Sequence, residues 1–334
     1  MNKIAIIGAG SWGTALSIAL SRSRKPHAIS LWAHEPEVVE SIRTRRLNDV
    51  FLPGFELPEG VAATGNLAEA VEGAEIILGV TPSTHARELY AQIAALVPRA
   101  TAFLSATKGL EPESLLRMSE VVRQTIPPAR APRIAVLSGP SFAREVARGD
   151  PTAIVIASDD AALSAEIQEQ FSGPTLRLYS NSDVTGVEIG GSVKNVIAIA
   201  AGVTEGLGLG HNTLAALITR GLSEMSRLAI AMGGRPDTLA GLAGMGDLVL
   251  TCTGGLSRNR GVGVELGKGR KLDEIVGAMR MVAEGVSTTA AARTLAQRMN
   301  IEMPITEQMH AVLYEGRAPR DAIRELMERR LRGE

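Results

Sequence analysis

The chain has 334 residues, with 35 Lys+Arg against 36 Asp+Glu and a single cysteine. At roughly 100–200 residues per domain this length predicts two domains, and 45% hydrophobic with 21% charged residues excludes a disordered chain. A formal net charge of −1 removes the electrostatic footprint of a nucleic-acid binder, and 3% aromatic residues argue against base- or sugar-stacking platforms. The lone Cys252 cannot form an internal disulfide, which fits a reducing compartment.

The longest apolar run, Val196 to Val203, falls short of the roughly 20 residues that span a bilayer. The chain opens directly on Lys3-Ile4-Ala5-Ile6-Ile7, without the pattern of a secretory leader. The expectation is a cytoplasmic protein with no membrane insertion and no nucleic-acid partner.

The first half alternates short apolar runs with helical stretches. Lys3–Ile7, Ala28–Trp32, Glu75–Val80, Thr101–Ala106 and Arg133–Ser138 read as strands buried on both faces. Trp12–Arg22, Pro36–Arg45 and Ser83–Leu96 read as the helices between them. Ala153–Ala157 and Thr175–Tyr179 flank a helix near Leu163–Phe171. This alternation predicts a Rossmann-type, doubly wound, mostly parallel α/β sheet. From about Val187 the pattern changes to helices alone: Gly190–Thr204, Thr213–Met232, Thr238–Leu242, Gly261–Lys268, Leu272–Ala278, Ser287–Met299, Pro304–Tyr314 and Pro319–Arg330. The predicted division is a dinucleotide-binding domain over 1–185 and an all-helical substrate-binding, catalytic domain over 186–334. The Ala- and Gly-rich helices of the second half are compatible with a homodimer.

Gly8-Ala9-Gly10-Ser11-Trp12-Gly13 follows the first strand and opens the first helix. In that setting the G-x-G-x-x-G spacing is a specific dinucleotide signal. Gly8 permits the tight turn, Gly10 lets backbone approach a pyrophosphate, and Gly13 lets helix pack on strand. The helix N-terminus offers free N–H groups to the phosphates. The second strand ends at Ala33-His34-Glu35, with His34 at the tip as either a ribose contact or a solvated turn residue. No carboxylate at that tip clearly repels a 2′-phosphate, so both NAD and NADP are admissible.

Other chemistries find little support. Ser105-Ala106-Thr107-Lys108 matches S-x-x-K without its partner motifs, and the five histidines lack metal-ligand spacing, so no metal is expected. Two lysines stand out. Lys108 follows a strand and so lies at the sheet's carboxyl edge, where such folds bind ligands. Lys194 sits in Gly190-Gly191-Ser192-Val193-Lys194-Asn195-Val196, among small and apolar residues. Burial would lower its pKa and suit it to proton transfer; the alternative is a lysine snorkelling to the surface. Ser138-Gly139-Pro140-Ser141-Phe142-Ala143, Gly244-Met245-Gly246-Asp247-Leu248 and Leu256-Ser257-Arg258-Asn259-Arg260 read as ligand loops. Arg258 is suited to clamping a phosphate, Asp247 alternatively to capping a helix.

Five segments in register, Gly8–Ala15, Thr107–Leu110, Ser138–Val146, Val193–Val196 and Leu256–Asn259, resemble the bacterial NAD(P)-dependent glycerol-3-phosphate dehydrogenase family over essentially the whole chain. The resemblance implies interconversion of sn-glycerol 3-phosphate and dihydroxyacetone phosphate, supplying glycerol 3-phosphate for phospholipid synthesis. It implies cofactor contacts at Ser11, Trp12, His34, Lys108, Ala143, Arg258, Val282 and Glu284, and substrate contacts at Lys108, Gly139, Ser141, Lys194, Asp247, Ser257, Arg258 and Asn259. Lys194 would be the general acid/base, with Lys108 stabilising the oxyanion and Asp247 orienting Lys194. Two rivals remain at this stage: another Rossmann-plus-helical dehydrogenase of the β-hydroxyacid or phosphogluconate type, and a non-catalytic dinucleotide-binding redox sensor.

Overall fold

In the computed structural model, which describes residues 2–98 and 100–330, the apolar runs of the first half become strands. They are β1 (Asn2–Ile7), β2 (His27–Trp32), β3 (Leu47–Asn48), β4 (Leu52–Glu56), β5 (Val61–Thr64), β6 (Ile76–Gly79), β7 (Ala102–Ser105), β8 (Arg133–Ser138), β9 (Thr152–Ala157) and β10 (Leu176–Asn181). Eight of them form one sheet in the order β10-β9-β8-β7-β6-β1-β2-β5, and β3 pairs with β4 separately. All neighbours in the large sheet are parallel except β8 and β9. That exception has a geometric cause. The helix between β8 and β9 is only six residues (Ala143–Arg148), roughly 9 Å long, too short to carry the chain back along a strand of roughly 20 Å.

Seven helices interleave with these strands: α1 (Ser11–Ser21), α2 (Pro36–Arg45), α3 (Leu67–Val71), α4 (Ser83–Ala94), α5 (Met118–Thr125), α6 (Ala143–Arg148) and α7 (Ala161–Phe171). They cover both faces, which is why β1, β6 and β7 carry apolar side chains on either side, Ile4 and Ile6 toward one cluster and Ala5 and Ile7 toward the other. From residue 184 to 330 the described chain holds helices and no strand: α8 (Val184–Gly206), α9 (His211–Ala231), α10 (Pro236–Ala240), α11 (Asp247–Thr253), α12 (Arg258–Gly267), α13 (Leu272–Gly277), α14 (Glu284–Arg298), α15 (Pro304–Tyr314) and α16 (Pro319–Met327). Met1 and residues 331–334, the ends of the two expected domains, lie outside the described residues.

Helix α8 is the axis of this half, and it begins six residues before the predicted Gly190. Asp183 starts it, its carboxylate accepting the Gly186 N–H at 2.8 Å. At 23 residues α8 is long and apolar enough to cross a membrane, contrary to the reading of its sequence, yet its apolar stretch is wholly buried inside the protein. Its packing against α12 depends on glycine. A β-carbon on Gly202 or Gly263 would overlap the backbone of the facing helix, so only bare backbones allow this approach. Nearer its start, Glu188 fastens α8 to the sheet half. Arg117 Nη1 donates to Glu188 at 2.7 Å, while Ser119 donates its N–H at 2.8 Å and its hydroxyl at 2.6 Å. Burial pushes the Glu188 carboxyl up, and Arg117 and Ser119 oppose it. Lys194 therefore stands on a helix fixed at both the glycine crossing and this ion pair.

Candidate active site

Between the sheet's carboxyl edge and the helical half runs a cleft of about 810 Å³. One end is the glycine turn. Gly8 takes a left-handed φ of 119°, and any β-carbon on Gly13 would strike the Gly8 carbonyl. Gly10 faces open space. No side chain caps α1, so its first-turn N–H groups remain available to an anion. Both tryptophans, Trp12 and Trp32, line this end, and the buried Trp12 Nε1 has no hydrogen-bond partner. A bare turn, an uncapped helix and an unpartnered indole fit a dinucleotide's phosphates and nucleoside.

The opposite end is built on Asp247, 1% exposed. Lys194 Nζ pairs with its Oδ1, and Lys108 Nζ with its Oδ2 at 2.9 Å. Lys108 also donates to the Gly139 carbonyl at 2.8 Å and the Ser141 hydroxyl at 3.2 Å. Asn195 Nδ2 donates to the Lys108 carbonyl at 3.1 Å, so the residue next to Lys194 on α8 holds the Lys108 backbone. The two lysines reach this carboxylate from different elements: Lys108 from the loop after β7, Lys194 from α8. Burial lowers the Lys194 pKa to about 8; Asp247 pulls it back up and Lys108 pushes it further down. The buried Cys252 nearby is pushed up to about 12 by desolvation and stays a neutral thiol.

The remaining predicted positions sort clearly. Ser11, Trp12, His34, Lys108, Ser141, Ala143, Lys194, Ser257, Arg258, Asn259, Val282 and Glu284 all line the cleft with Gly8 and Gly10. Gly13, Gly139 and Asp247 do not line it and act from behind, through packing or through Lys108 and Lys194. The glycines before Lys194 do admit close neighbours, and those neighbours are protein: Gly190 faces the Ala243 carbonyl and Gly191 the Ser138 hydroxyl.

Two local readings resolve. The Asp247 side chain caps no helix, the alternative weighed for it; residues 242–246 form a π-turn that runs straight into α11, burying its carboxylate. Arg258 and Asn259 lie in the first turn of α12 rather than in a loop, with the Ser257 hydroxyl accepting the Arg260 N–H at 3.2 Å. Arg258 Nη1 donates to the Val282 carbonyl at 3.0 Å and Asn259 accepts the Gly285 N–H at 2.9 Å, tying α12 to the segment before α14. Glu284 reaches across to the sheet half, where its oxygens accept the Ser83 N–H at 2.9 Å and hydroxyl at 2.6 Å. Burial pushes this carboxyl up, against Ser83 and Arg258.

Sequence reasoning passed over Ser83, Asn195, Thr251 and Arg280, and set Glu35 aside as lying near the tip rather than on it. Glu35 lines the cleft beside His34, so a carboxylate does stand at that tip. Thr251 lies at 3.0 Å from the Ser257 hydroxyl. Ser83 had a readable signal, since it opens the helix after Val80-Thr81-Pro82 at the sheet's carboxyl edge.

Two family models together match most of the chain. The NAD-dependent glycerol-3-phosphate dehydrogenase N-terminus model covers residues 3–164 and the corresponding C-terminus model covers 183–324. The chain belongs to this family. Among its relatives is the glycerol-3-phosphate dehydrogenase [NAD(P)+] of Koribacter versatilis, 58% identical over 98% of each chain. Another is that of Geobacter sp. (strain M21), 53% identical over 99% of this chain and 98% of that one. The crystal structure of glycerol-3-phosphate dehydrogenase from Coxiella burnetii superposes with a TM-score of 0.93 at 43% identity, covering 98% of this chain and 99% of that one. Such full-length similarity does not favour the β-hydroxyacid or redox-sensor alternatives.

Proposed function

We propose that this chain catalyses the NAD(P)-dependent interconversion of sn-glycerol 3-phosphate and dihydroxyacetone phosphate, providing glycerol 3-phosphate for phospholipid synthesis. The observation that carries this is the pairing of two lysines on one buried carboxylate, across a cleft whose far end is a phosphate-binding glycine turn. The cofactor, when bound, supplies or accepts the hydride. Gly8, Gly10, Ser11, Trp12 and His34 hold its phosphates and adenosine side, with Ala143, Val282 and Glu284 further along the cleft.

Lys194 holds the proton exchanged with the substrate's C2 oxygen. In ketone reduction its ammonium donates to the developing alkoxide; in alcohol oxidation its free amine accepts the hydroxyl proton. A pKa near 8 keeps both forms accessible close to neutral pH. Lys108 stabilises the same oxygen as charge develops. Asp247 positions both amines, and Gly139 and Ser141 brace Lys108. Arg258, Asn259 and Ser257 face the substrate phosphate, where a planar guanidinium can bind two oxygens at once. In this assignment the dinucleotide domain covers 1–185 and the substrate domain 186–334, a division within two residues of the start of α8.

The test is absorbance of the reduced nicotinamide with dihydroxyacetone phosphate, run in parallel with NADH and NADPH. Oxidation with the phosphorylated ketone but not with 3-oxo acids supports the assignment; the reverse refutes it. The proposal extends to a cytoplasmic location, checked by cell fractionation. It includes a homodimer formed through the helical half, where Leu214, Leu217, Ile218 and Leu222 are only partly buried along α9, checked by sedimentation.

A further inference from the structure

Residues 278–283, between α13 and α14, lie across the cleft and are pinned at three points. Met281 Sδ lies 3.0 Å from Ser11 Oγ, whose hydroxyl is also shared with the Phe51 carbonyl at 2.8 Å; Arg258 holds the Val282 carbonyl, and Glu284 clasps Ser83 just beyond. The first pin matters most, because Ser11 opens α1 and therefore belongs to the phosphate-binding turn. A segment of the helical half is thus drawn directly against the anion site of the sheet half. Immediately before Met281 stands Arg280, an exposed residue that also lines the cleft.

The other cations of the cleft are spoken for. Lys108 and Lys194 share Asp247, and Arg258 donates to Val282 and feels Glu284. Among the described residues Arg280 has neither an ion pair nor a hydrogen bond. A dinucleotide seated on α1 brings two phosphate charges to within one residue of Met281's anchor. The partial positive charge at a helix N-terminus, about half an elementary charge, compensates them only in part. The carboxylates that line the cleft, Glu35, Glu88 and Glu284, add none of the missing positive charge.

We propose that Arg280 is a cofactor-binding residue, its guanidinium pairing with the dinucleotide pyrophosphate from the side opposite Gly10 and Ser11. The pyrophosphate is then gripped by both halves of the chain: backbone N–H groups on one side, and a planar, permanently charged fork on the other. This rests on the cleft being the dinucleotide site, as assigned above.

The experiment is isothermal titration calorimetry on the full chain with NADH, NADPH and ADP-ribose, comparing wild type, Arg280→Gln and Arg280→Lys. Arg280 is exposed, so both variants are expected to melt with wild type. Arg280→Gln should weaken all three ligands by a similar factor, about five- to tenfold for a partly exposed charge-assisted pair. Arg280→Lys should lose less. The difference between wild type and Arg280→Gln should shrink as salt is raised. Unchanged affinity in Arg280→Gln, or a loss confined to NADPH, would overturn the pyrophosphate assignment. Wild-type chain that bound none of the three would instead overturn the underlying site.

Discussion

Gly190 is where one methyl group should travel furthest. It lies on α8 one helical turn before Lys194, and a β-carbon there would sit 2.7 Å from the Ala243 carbonyl oxygen. That is 0.7 Å inside the 3.4 Å at which ordinary contact begins, and the obstacle is backbone rather than a side chain that could swing away. In Gly190→Ala the π-turn over 242–246 must therefore retreat by roughly that amount, taking Asp247 with it. Overpacking of this kind costs about 2 kcal/mol, offset by the about 1 kcal/mol that alanine gains over glycine inside a helix. The net of about 1 kcal/mol should lower Tm by about 2–3 °C. Since a misplacement of about 1 Å can cost about a hundredfold in rate, a shift of this size should lower kcat/KM with dihydroxyacetone phosphate about tenfold. Gly261→Ala is the control: its β-carbon meets nothing within 4 Å on α12, so Tm should hold or rise. Differential scanning fluorimetry and steady-state kinetics on both variants decide the matter. Wild-type activity in Gly190→Ala would refute the mechanical link between α8 and Asp247.

Removing the amine in Lys194→Ala should lower kcat by at least about a hundredfold, the usual size of a lost general acid/base, while calorimetry still detects NADH binding. The pH dependence follows from burial. With the Lys194 pKa lowered to about 8, ketone reduction, which uses the protonated amine, should fall above pH 8, and alcohol oxidation should rise up to it. The same depression means the unfolded chain binds more protons than the folded one above pH 8. On this group's account, stability therefore rises with pH from 8 toward the ordinary lysine value of 10.5. Asp247→Asn removes the charge that holds this pKa up, so the alkaline limb of reduction should move below pH 8; a limb that stayed in place would detach Asp247 from Lys194. Arg258→Ala should raise KM for the phosphorylated ketone well above any change in kcat, and an equal proportional loss with an unphosphorylated ketone would remove its phosphate role.

The parts of the molecule written in local spacing were the parts readable in advance. Gly8, Gly10 and Gly13 carry their meaning in a six-residue window, and the apolar runs of β1, β6 and β7 need no alternation because helices cover both faces. Strand β4 (Leu-Pro-Gly-Phe-Glu) was invisible for the opposite reason: it is largely exposed and holds a proline and a glycine. The start of α8 was missed because Glu188, Gly190 and Gly191 weaken a helical pattern; only Arg117 and the chain behind the glycines, far away in sequence, make sense of them. The lysine pair was seen as two lysines, but that one carboxylate serves both depends on a π-turn no spacing announces. Arg280 sits in a segment without periodicity, and that segment is brought to the glycine turn by tertiary contacts alone, through Met281.

The chain contains two indoles, Trp12 and Trp32, and both border the same groove. Excited at the red edge of its absorption, where its three tyrosines do not absorb, this protein therefore emits only from one end of the cleft. Because reduced nicotinamide absorbs where indole emits, a bound reduced cofactor should quench that light by energy transfer. Occupancy could then be followed in a stopped-flow instrument without any label.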